Sequence, residues 1–180
     1  MKMNKLFNKN IFYKPGDSTS CQVSDNPGVY MICLNQSKSL PKIDINPTYN
    51  QFYGLDIVYI GISTKSLKTR DCKTHFEGNN AGRSTLRKSI GSMFCYQKIP
   101  RDINNPTNGK TKFNDNDEQQ LSKWMSDSLV LYFNDKVSTN ILSDLEYDLI
   151  ANYKPILNIS KNYDVVNVNF RKLLKKLRKS

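Results

Sequence analysis

Three short apolar runs constrain the fold of this chain more than any other feature. They are VYMICL at residues 29–34, IVYIGI at residues 57–62 and LVLYF at residues 129–133. Each run is too short for a buried helix, and its β-branched and aromatic content is typical of a buried strand. Helix-like stretches lie between and after the runs. The pattern therefore predicts a mixed α/β (α+β) layer structure.

Helical segments are predicted between and after these strands. Ser84 is predicted to cap a helix that begins beside it, and Asp117 lies in the acidic first turn of another. A further helix is predicted from about residue 139 to 153, because apolar side chains recur there at helical spacing until Pro155 ends the pattern. The polar stretch at residues 104–116 is predicted to be a linker. These elements amount to three strands and four or five helices.

The length of 180 residues fits one domain with short additions at its ends. Residues 1–23 are polar with little periodicity, so they are predicted to be an N-terminal extension. Residues 35–54 are rich in Ser, Lys, Pro and Asn and are predicted to form a long loop. Residues 161–180 are predicted to contain a basic amphipathic helix, because their apolar residues recur at helical spacing.

Positive charge is concentrated in that last segment. Lys and Arg number 27 against 16 Asp and Glu, which gives a formal net charge of +11, and residues 171–180 hold six basic residues and no acid. A cationic helix face suits DNA, since each neutralised phosphate releases counterions. A solvated helix end and a helix lying on a membrane surface are the alternative interpretations. The side chains expected to contact DNA here are Arg171, Lys172, Lys175 and Lys176.

Several classes of protein are excluded by the composition. No apolar run approaches the roughly 20 residues that a membrane span needs, and the first fourteen residues lack the apolar stretch of a signal peptide. A cytoplasmic protein with no membrane partner is therefore expected. The four cysteines and the single His75 do not have the spacing of a zinc site. The cysteines are predicted to be free buried thiols.

Candidate catalytic residues follow one another in a specific order along the chain. The first strand carries Gly28-Val29-Tyr30, and the second carries Tyr59-Ile60-Gly61. An arginine follows eleven residues after the second tyrosine, and a histidine follows five residues after the arginine. A glutamate and an asparagine come much later, in Leu145-Glu146 and in a Pro-x-x-Asn sequence. The ordered set is Tyr30, Tyr59, Arg70, His75, Glu146 and Asn158.

This order resembles the GIY-YIG endonucleases, with GVY at the first motif and YIG at the second. The resemblance implies a small three-stranded antiparallel sheet flanked by helices, and metal-dependent hydrolysis of DNA. It covers residues 26–160, which places the nuclease-like domain at about 24–160. The family usually has a shorter connection between the two tyrosine motifs, so residues 35–54 correspond to an insertion that contacts substrate or forms a passive loop.

The resemblance also implies roles for the residues on the strands and the following helix. Tyr30 corresponds to the tyrosine that positions or deprotonates the attacking water, and Tyr59 to the tyrosine beside the scissile phosphate. Arg70 corresponds to the arginine that contacts this phosphate, for which its planar fork is well suited. His75 resembles a histidine that some members place one helical turn after the arginine. Its alternative interpretation is a stacked or capping histidine.

Two late residues complete the implied site. Glu146 corresponds to the carboxylate that holds one Mg²⁺ (or Mn²⁺), a hard cation that keeps several waters of its own. The competing interpretation is a capping box with Ser143, in which the carboxylate would bond to backbone. An apolar stripe that includes Leu142 favours an earlier helix start and a free carboxylate. Asn158 corresponds to an asparagine that organises the site, and binding to loop backbone is its alternative.

The expected partner is DNA, most simply double-stranded DNA. Besides the basic C-terminal segment, Lys65, Arg83, Arg87 and Lys88 are predicted to contact it. Cutting a duplex takes two nicks, which a homodimer or sequential nicking would deliver. No helix-turn-helix or zinc-finger module is evident after the nuclease-like region, so site recognition is weak, carried by residues 35–54 or supplied by a separate specificity partner. The alternative function is a catalytically silent nucleic-acid-binding module with the same fold and basic surface. A third hypothesis is an accessory protein that uses the basic face on an acidic protein.

Overall fold

The structure of the protein is a computed structural model that describes residues 3–17, 21–78 and 81–179. Its helices and strands in chain order are α1 (Met3–Leu6), β1 (Phe12–Tyr13), β2 (Gly28–Leu34), β3 (Gln51–Phe52), β4 (Leu55–Ser63), a π-helix (Thr69–Phe76), α2 (Thr85–Met93), β5 (Lys98–Pro100), β6 (Thr111–Phe113), α3 (Asp115–Ser128), β7 (Leu129–Asn134), α4 (Leu142–Tyr153) and α5 (Val168–Lys179). The three predicted strands and the helices around them are thus present.

The main sheet has five strands in the order β1-β7-β2-β4-β3, and each neighbouring pair is antiparallel. Its centre, β7-β2-β4, is the predicted three-stranded antiparallel sheet. The expectation of only three strands is wrong, because β1 and β3 add one two-residue strand at each edge. Strands this short carry no periodicity from which they could be predicted.

Strand β2 is buried along its whole length because helices cover both faces of the sheet. One face carries Tyr30 and Ile32 and packs against a core to which α2, α3 and α5 contribute. The opposite face carries Val29 and Met31 and packs with residues of α1 and α4. A strand with no solvent-facing side has no polar alternation, which explains the continuous apolar run in the sequence.

Segments that the sequence places outside the nuclease-like domain contribute to its core. Phe7 near the start of the chain is 1% exposed, and β1 pairs with β7. Phe170 of α5 is equally buried, and α5 packs against α2. The long loop is held against the start of α5. Asn167, directly before that helix, accepts from the Thr48 N–H at 2.9 Å and donates to the Thr48 carbonyl at 2.8 Å. Among the helices in the described ranges, none is long and apolar enough to cross a bilayer.

The stretch predicted as a polar linker contains ordered structure. Strand β6 lies within it and pairs with β5, so the prediction of a linker at residues 104–116 is wrong for its second half. Phe113 is buried, and its ring lies against Gly91, where a Cβ atom would collide with it. One buried aromatic in a polar stretch gives too weak a sequence signal for a strand.

The cysteine prediction is also corrected. Cys21 and Cys72 form a disulfide whose Cα atoms are 6.2 Å apart, and only Cys33 is a free buried thiol. Cys95 is free but exposed. The bonded pair is separated by 51 residues, and sequence spacing cannot reveal contacts over that distance. The bond ties residue 21 to the π-helix.

Candidate active site

The two tyrosine motifs face each other across adjacent strands. Tyr30 on β2 pairs in register with Gly61 on β4, and the aromatic ring of Tyr30 lies over that glycine. A methyl group at position 61 would collide with the ring and its hydroxyl. Tyr59, two residues earlier, stacks beside Tyr30 with ring centroids 6.2 Å apart. The glycine of the second motif therefore makes room for the tyrosine of the first.

The π-helix brings Arg70 and His75 to the tyrosines. A π-helix joins each N–H to the carbonyl five residues earlier, so residues five apart lie on one face. The Nε2 atom of His75 is 3.0 Å from the Tyr30 hydroxyl oxygen. The Arg70 guanidinium interacts with the hydroxyls of both Tyr30 and Tyr59. The predicted turn between Arg70 and His75 is thus one turn of a π-helix.

The hydrogen-bond partners around His75 favour one tautomer of its imidazole. An arginine can only donate, so the Tyr30 oxygen accepts from Arg70, and this favours the arrangement in which the Tyr30 O–H donates to His75 Nε2. The proton of the neutral imidazole then lies on Nδ1, which is 2.7 Å from Ser84 Oγ. The same oxygen accepts the Arg87 backbone N–H at 3.1 Å, as the predicted cap of α2. Ser84 therefore caps a helix and orients His75.

Burial sets the protonation states of these groups. Burial lowers the pKa of His75 well below its ordinary value, and Arg70 and Arg87 lower it further, so the imidazole is neutral near pH 7. Burial raises the pKa of Tyr30 well above 10, and Arg70 opposes this rise. Burial raises the pKa of Tyr59 as well, again against Arg70. Both phenols are protonated, and Tyr30 has a neutral proton acceptor directly beside it.

Glu146 approaches this cluster from α4. The helix begins at Leu142 after a single 3-10 turn, so Glu146 lies inside it and the capping-box interpretation is wrong. The helical segment begins at Thr139, as the apolar stripe predicts, but the expectation of a free carboxylate is wrong. The Glu146 carboxylate bonds to Lys161 Nζ at 2.7 Å, and its side chain is 17% exposed. Its charge raises the pKa of Tyr59, which places the carboxylate close to the tyrosines.

The Asn158 side chain binds the backbone of Ile60, which lies between Tyr59 and Gly61 on β4. Its Oδ1 accepts the Ile60 N–H at 2.9 Å, and its Nδ2 donates to the Ile60 carbonyl at 2.8 Å. The amide therefore clamps the strand segment that holds Tyr59 and Gly61. It contacts strand backbone instead of the loop backbone that the alternative interpretation names. Through this clamp Asn158 acts as a positioning residue.

Comparison with protein families agrees with this arrangement. A model of the GIY-YIG catalytic domain family matches residues 28–180. The chain belongs to the GIY-YIG family. Comparisons with curated proteins and with solved structures gave no match.

The GIY-YIG match gives this domain its general chemistry and extends the sequence resemblance. Domains of this family are nucleases, which hydrolyse phosphodiester bonds. The matched range includes β2, β4, the π-helix and α4, and it also includes α5, which the resemblance seen in the sequence did not reach.

Glu146 is the carboxylate that the resemblance assigns to a divalent cation. In residues 3–17, 21–78 and 81–179, no group of three or more Asp, Glu, His or Cys side chains could hold a metal ion. A site with few protein ligands suits Mg²⁺, which is usually bound through one or two carboxylates and keeps several waters. Glu146 is half-buried beside Tyr59, so its donor chemistry fits one Mg²⁺ or Mn²⁺.

Two predicted DNA contacts are not on the surface. Arg87 is fully buried and forms an ion pair with Glu118 at 2.7 Å, while its Nη1 donates to the His75 carbonyl at 2.9 Å. Arg171 is 6% exposed and pairs with Asp164. The prediction that these arginines bind DNA is wrong, because both guanidiniums are neutralised by carboxylates and shielded from solvent.

The other predicted contacts remain accessible. Lys65 is exposed and lines an open hollow of about 430 Å³ together with Arg70. Lys88 is half-buried and donates to Thr111 Oγ1 at 3.0 Å. The exposed members of the set are Arg83, Lys172, Lys175 and Lys176.

Three side chains with a place at the site were missed from the sequence. They are Ser84 as the partner of His75, Lys161 as the partner of Glu146, and Arg178, whose charge lowers the pKa of Tyr59. Only Ser84 had a signal, as a helix cap. Lys161 and Arg178 follow α4, and their contacts depend on the path of the chain after that helix. No local sequence pattern predicts this path.

Proposed function

We propose that this protein is a metal-dependent endonuclease that hydrolyses phosphodiester bonds in double-stranded DNA. The observation that carries the proposal is the 3.0 Å contact between the Tyr30 hydroxyl and His75 Nε2, with the Arg70 guanidinium beside the same tyrosine. A phosphate-binding cation and a neutral base, one turn apart on the π-helix, thus lie beside the hydroxyl of a tyrosine on β2. Glu146 lies within electrostatic reach of Tyr59 and completes the group.

In the proposed mechanism, Tyr30 passes a proton on and is not deprotonated in the resting state. A phenol with a raised pKa is a poor base by itself. When Tyr30 accepts a proton from the attacking water, its own proton can move to His75 Nε2, 3.0 Å away. Ser84 accepts from His75 Nδ1 and keeps the imidazole oriented for this transfer. No phenolate has to persist in the buried site.

Arg70 and a cation held by Glu146 would stabilise the negative charge of the phosphate in the transition state. The Arg70 guanidinium stabilises the negative charge that grows on the phosphate in the transition state. Glu146 would hold one Mg²⁺ or Mn²⁺, which as a Lewis acid supplies further charge stabilisation when bound. Tyr59 stacks on Tyr30 and lies beside Arg70, so it would face the same phosphate.

The DNA duplex is proposed to lie across the exposed basic residues around this site. Such contacts carry affinity and orientation but little sequence information. Lys65 shares the hollow of Arg70, and Lys88 lies on α2, which α5 contacts. The other proposed contacts are Arg83, Lys172, Lys175 and Lys176. A homodimer or sequential nicking would deliver the second nick, and a separate partner would supply specificity.

Plasmid cleavage tests the proposal. Supercoiled DNA is incubated with Mg²⁺ or Mn²⁺ and with the wild type, Glu146→Gln or Tyr30→Phe. Asp148→Asn and Tyr147→Phe are matched controls, since both residues are exposed neighbours on the same helix as Glu146. We expect the wild type and both controls to nick DNA and the two site variants to be at least 100-fold slower. Equal rates for Glu146→Gln and Asp148→Asn would contradict the role of Glu146.

The ion pair between Glu146 and Lys161 favours a second candidate function. At 2.7 Å, Lys161 already neutralises the carboxylate without a metal. A domain that keeps this pair would bind DNA through its basic surface without cutting it. This nucleic-acid-binding module predicts a gel shift with no cleavage in any metal, and no Mn²⁺ binding that depends on Glu146 in electron paramagnetic resonance.

A further inference from the structure

A second cationic site lies between α2 and the C-terminal end of α5. A cavity of about 220 Å³ is lined there by Lys88, Lys175, Arg178 and Lys179. None of the described residues that line it is acidic or aromatic. An open, wholly basic cavity of this size fits a phosphate group and offers no surface on which a base would stack.

Within the part of the chain that the structure describes, Lys88, Lys98, Arg101 and Arg178 have no acidic partner in an ion pair. The pKa of Lys88 is lowered by burial and also by the nearby charges of Arg178, Lys98 and Arg101. Three of these cations donate to neutral oxygens: Lys88 to the Thr111 hydroxyl, Lys98 to the Leu177 carbonyl at 2.8 Å and Arg101 to the Gly82 carbonyl at 3.0 Å. These bonds hold the side chains in place and leave their mutual repulsion, which a bound anion would relieve.

Arg178 connects the cavity to the candidate active site. Its side chain is half-buried, and its charge lowers the pKa of Tyr59 while Tyr59 raises the pKa of Arg178. Tyr59 is therefore within electrostatic reach of both Arg70 and Arg178. A DNA strand that presents one phosphate to Arg70 would therefore carry other phosphates past Tyr59 toward the basic cavity.

We propose that Arg178 and Lys88 form a second phosphate-binding site, for a backbone phosphate near the scissile one on the cleaved strand. This inference rests on the proposed nuclease function. It names the residues that would fix the position of the DNA strand along the protein, so that the scissile phosphate lies over Tyr59. Arg178 touches the substrate phosphate directly, whereas a free phosphate ion would be a weaker ligand of the same chemistry.

The test uses the full chain and short duplexes in which one phosphate at a time is replaced by a neutral methylphosphonate. Affinity is measured without a divalent metal for the wild type, Arg178→Gln, Lys88→Gln and Lys123→Gln. Lys123 is the control because it is 81% exposed on α3 and is not among the proposed DNA contacts. Arg178→Lys keeps the charge without the fork, and circular dichroism confirms that each variant is folded.

We expect one methylphosphonate position to weaken binding by the wild type about tenfold and to have no effect on Arg178→Gln. The slope of log affinity against log salt should fall by about 0.9 in this variant, as expected for one lost phosphate contact. Lys123→Gln should match the wild type in both measurements. Arg178→Lys should recover part of the affinity.

The inference is overturned if Arg178→Gln and Lys88→Gln have the affinity and salt slope of Lys123→Gln. It is also overturned if every methylphosphonate position affects Arg178→Gln as it affects the wild type, or if free phosphate competes as well as DNA does. Cleavage that proceeds normally in these variants would leave the proposed function intact. Coupling between Arg178 and one phosphate in a protein that never cuts DNA would support this site and refute the nuclease.

Discussion

The clamp that Asn158 forms on β4 makes a sharp prediction about stability. Strand β3 pairs with β4 only at Leu55 and Asp56, so no strand covers the outer edge at Ile60 within the described residues. There the Asn158 amide takes the place of a strand, accepting from the Ile60 N–H and donating to its carbonyl. Leu157 adds one backbone bond to the Val58 carbonyl at 3.0 Å. At Ile60, the edge of β4 thus depends on one side chain.

Two substitutions separate the parts of this clamp. Asn158→Leu leaves two buried polar groups of Ile60 unsatisfied, at about 1–3 kcal/mol each, so the free energy of unfolding should fall by about 2–6 kcal/mol. Asn158→Asp keeps an acceptor for the N–H but turns a second oxygen toward the Ile60 carbonyl. It should lose about 1–3 kcal/mol when ionised. When protonated, the carboxyl can donate to the carbonyl again.

The pH dependence of Asn158→Asp follows from this. The folded state favours the protonated acid, so the pKa of Asp at position 158 should lie above its unfolded value of about 3.9. The loss of stability is then absent below that pH and grows as the pH rises through the folded-state pKa.

Urea unfolding followed by circular dichroism at pH 7.5 and pH 4.5 measures the difference from the wild type. Asn104→Asp, in an exposed loop, is the control. If Asn158→Leu and Asn158→Asp unfold at the wild-type urea concentration at pH 7.5, the clamp does not stabilise β4.

Three other changes probe the packing of the site. Gly61→Ala places a methyl group against the Tyr30 hydroxyl, so we expect at least a tenfold fall in DNA cleavage rate with an unchanged far-ultraviolet spectrum; a wild-type rate would contradict the contact. Arg87→Met leaves the buried Glu118 carboxylate unpaired and should lower the free energy of unfolding in urea by about 3–5 kcal/mol, whereas a loss under 1 kcal/mol would be inconsistent with a buried pair. Asp71 has no hydrogen-bond partner for either carboxylate oxygen in the part of the chain that the structure describes, and burial raises its pKa well above 3.8. Its ionisation therefore destabilises the fold increasingly as the pH rises above about 4, so Asp71→Asn should raise the thermal midpoint at pH 8 and not at pH 4; an equal shift at both pH values would refute this.

The sequence predicts the centre of the sheet because its strands are long enough to carry a signal. Runs of five or six apolar residues identify β2, β4 and β7, whereas the two-residue edge strands have no pattern to recognise. The same holds for β6, whose one buried aromatic stands in a polar stretch. The helix of Glu146 could be placed because an apolar stripe fixes its start. Local patterns thus predict elements that are long or strongly periodic.

The sequence identifies site residues that belong to a motif on a predicted strand. It does not identify arginines whose acidic partners lie elsewhere in the sequence. Tyr30 and Tyr59 follow from two strand motifs. Arg87 looks like a surface cation in the sequence, but its partner Glu118 lies 31 residues away on another helix. Arg171 pairs with Asp164 in a turn that precedes its helix. Only the three-dimensional path of the chain separates such buried cations from those that remain free for DNA.

The π-helix also makes the site sensitive to the number of residues in this segment. An α-helix advances about 100° per residue, so deleting one residue between Arg70 and His75 would restore an ordinary helical ladder and turn the imidazole by that angle. A chain with an α-helix here would have to carry its histidine one position earlier to reach the same tyrosine. Point substitutions on the outer surface of this turn should be tolerated, but single-residue insertions and deletions should not.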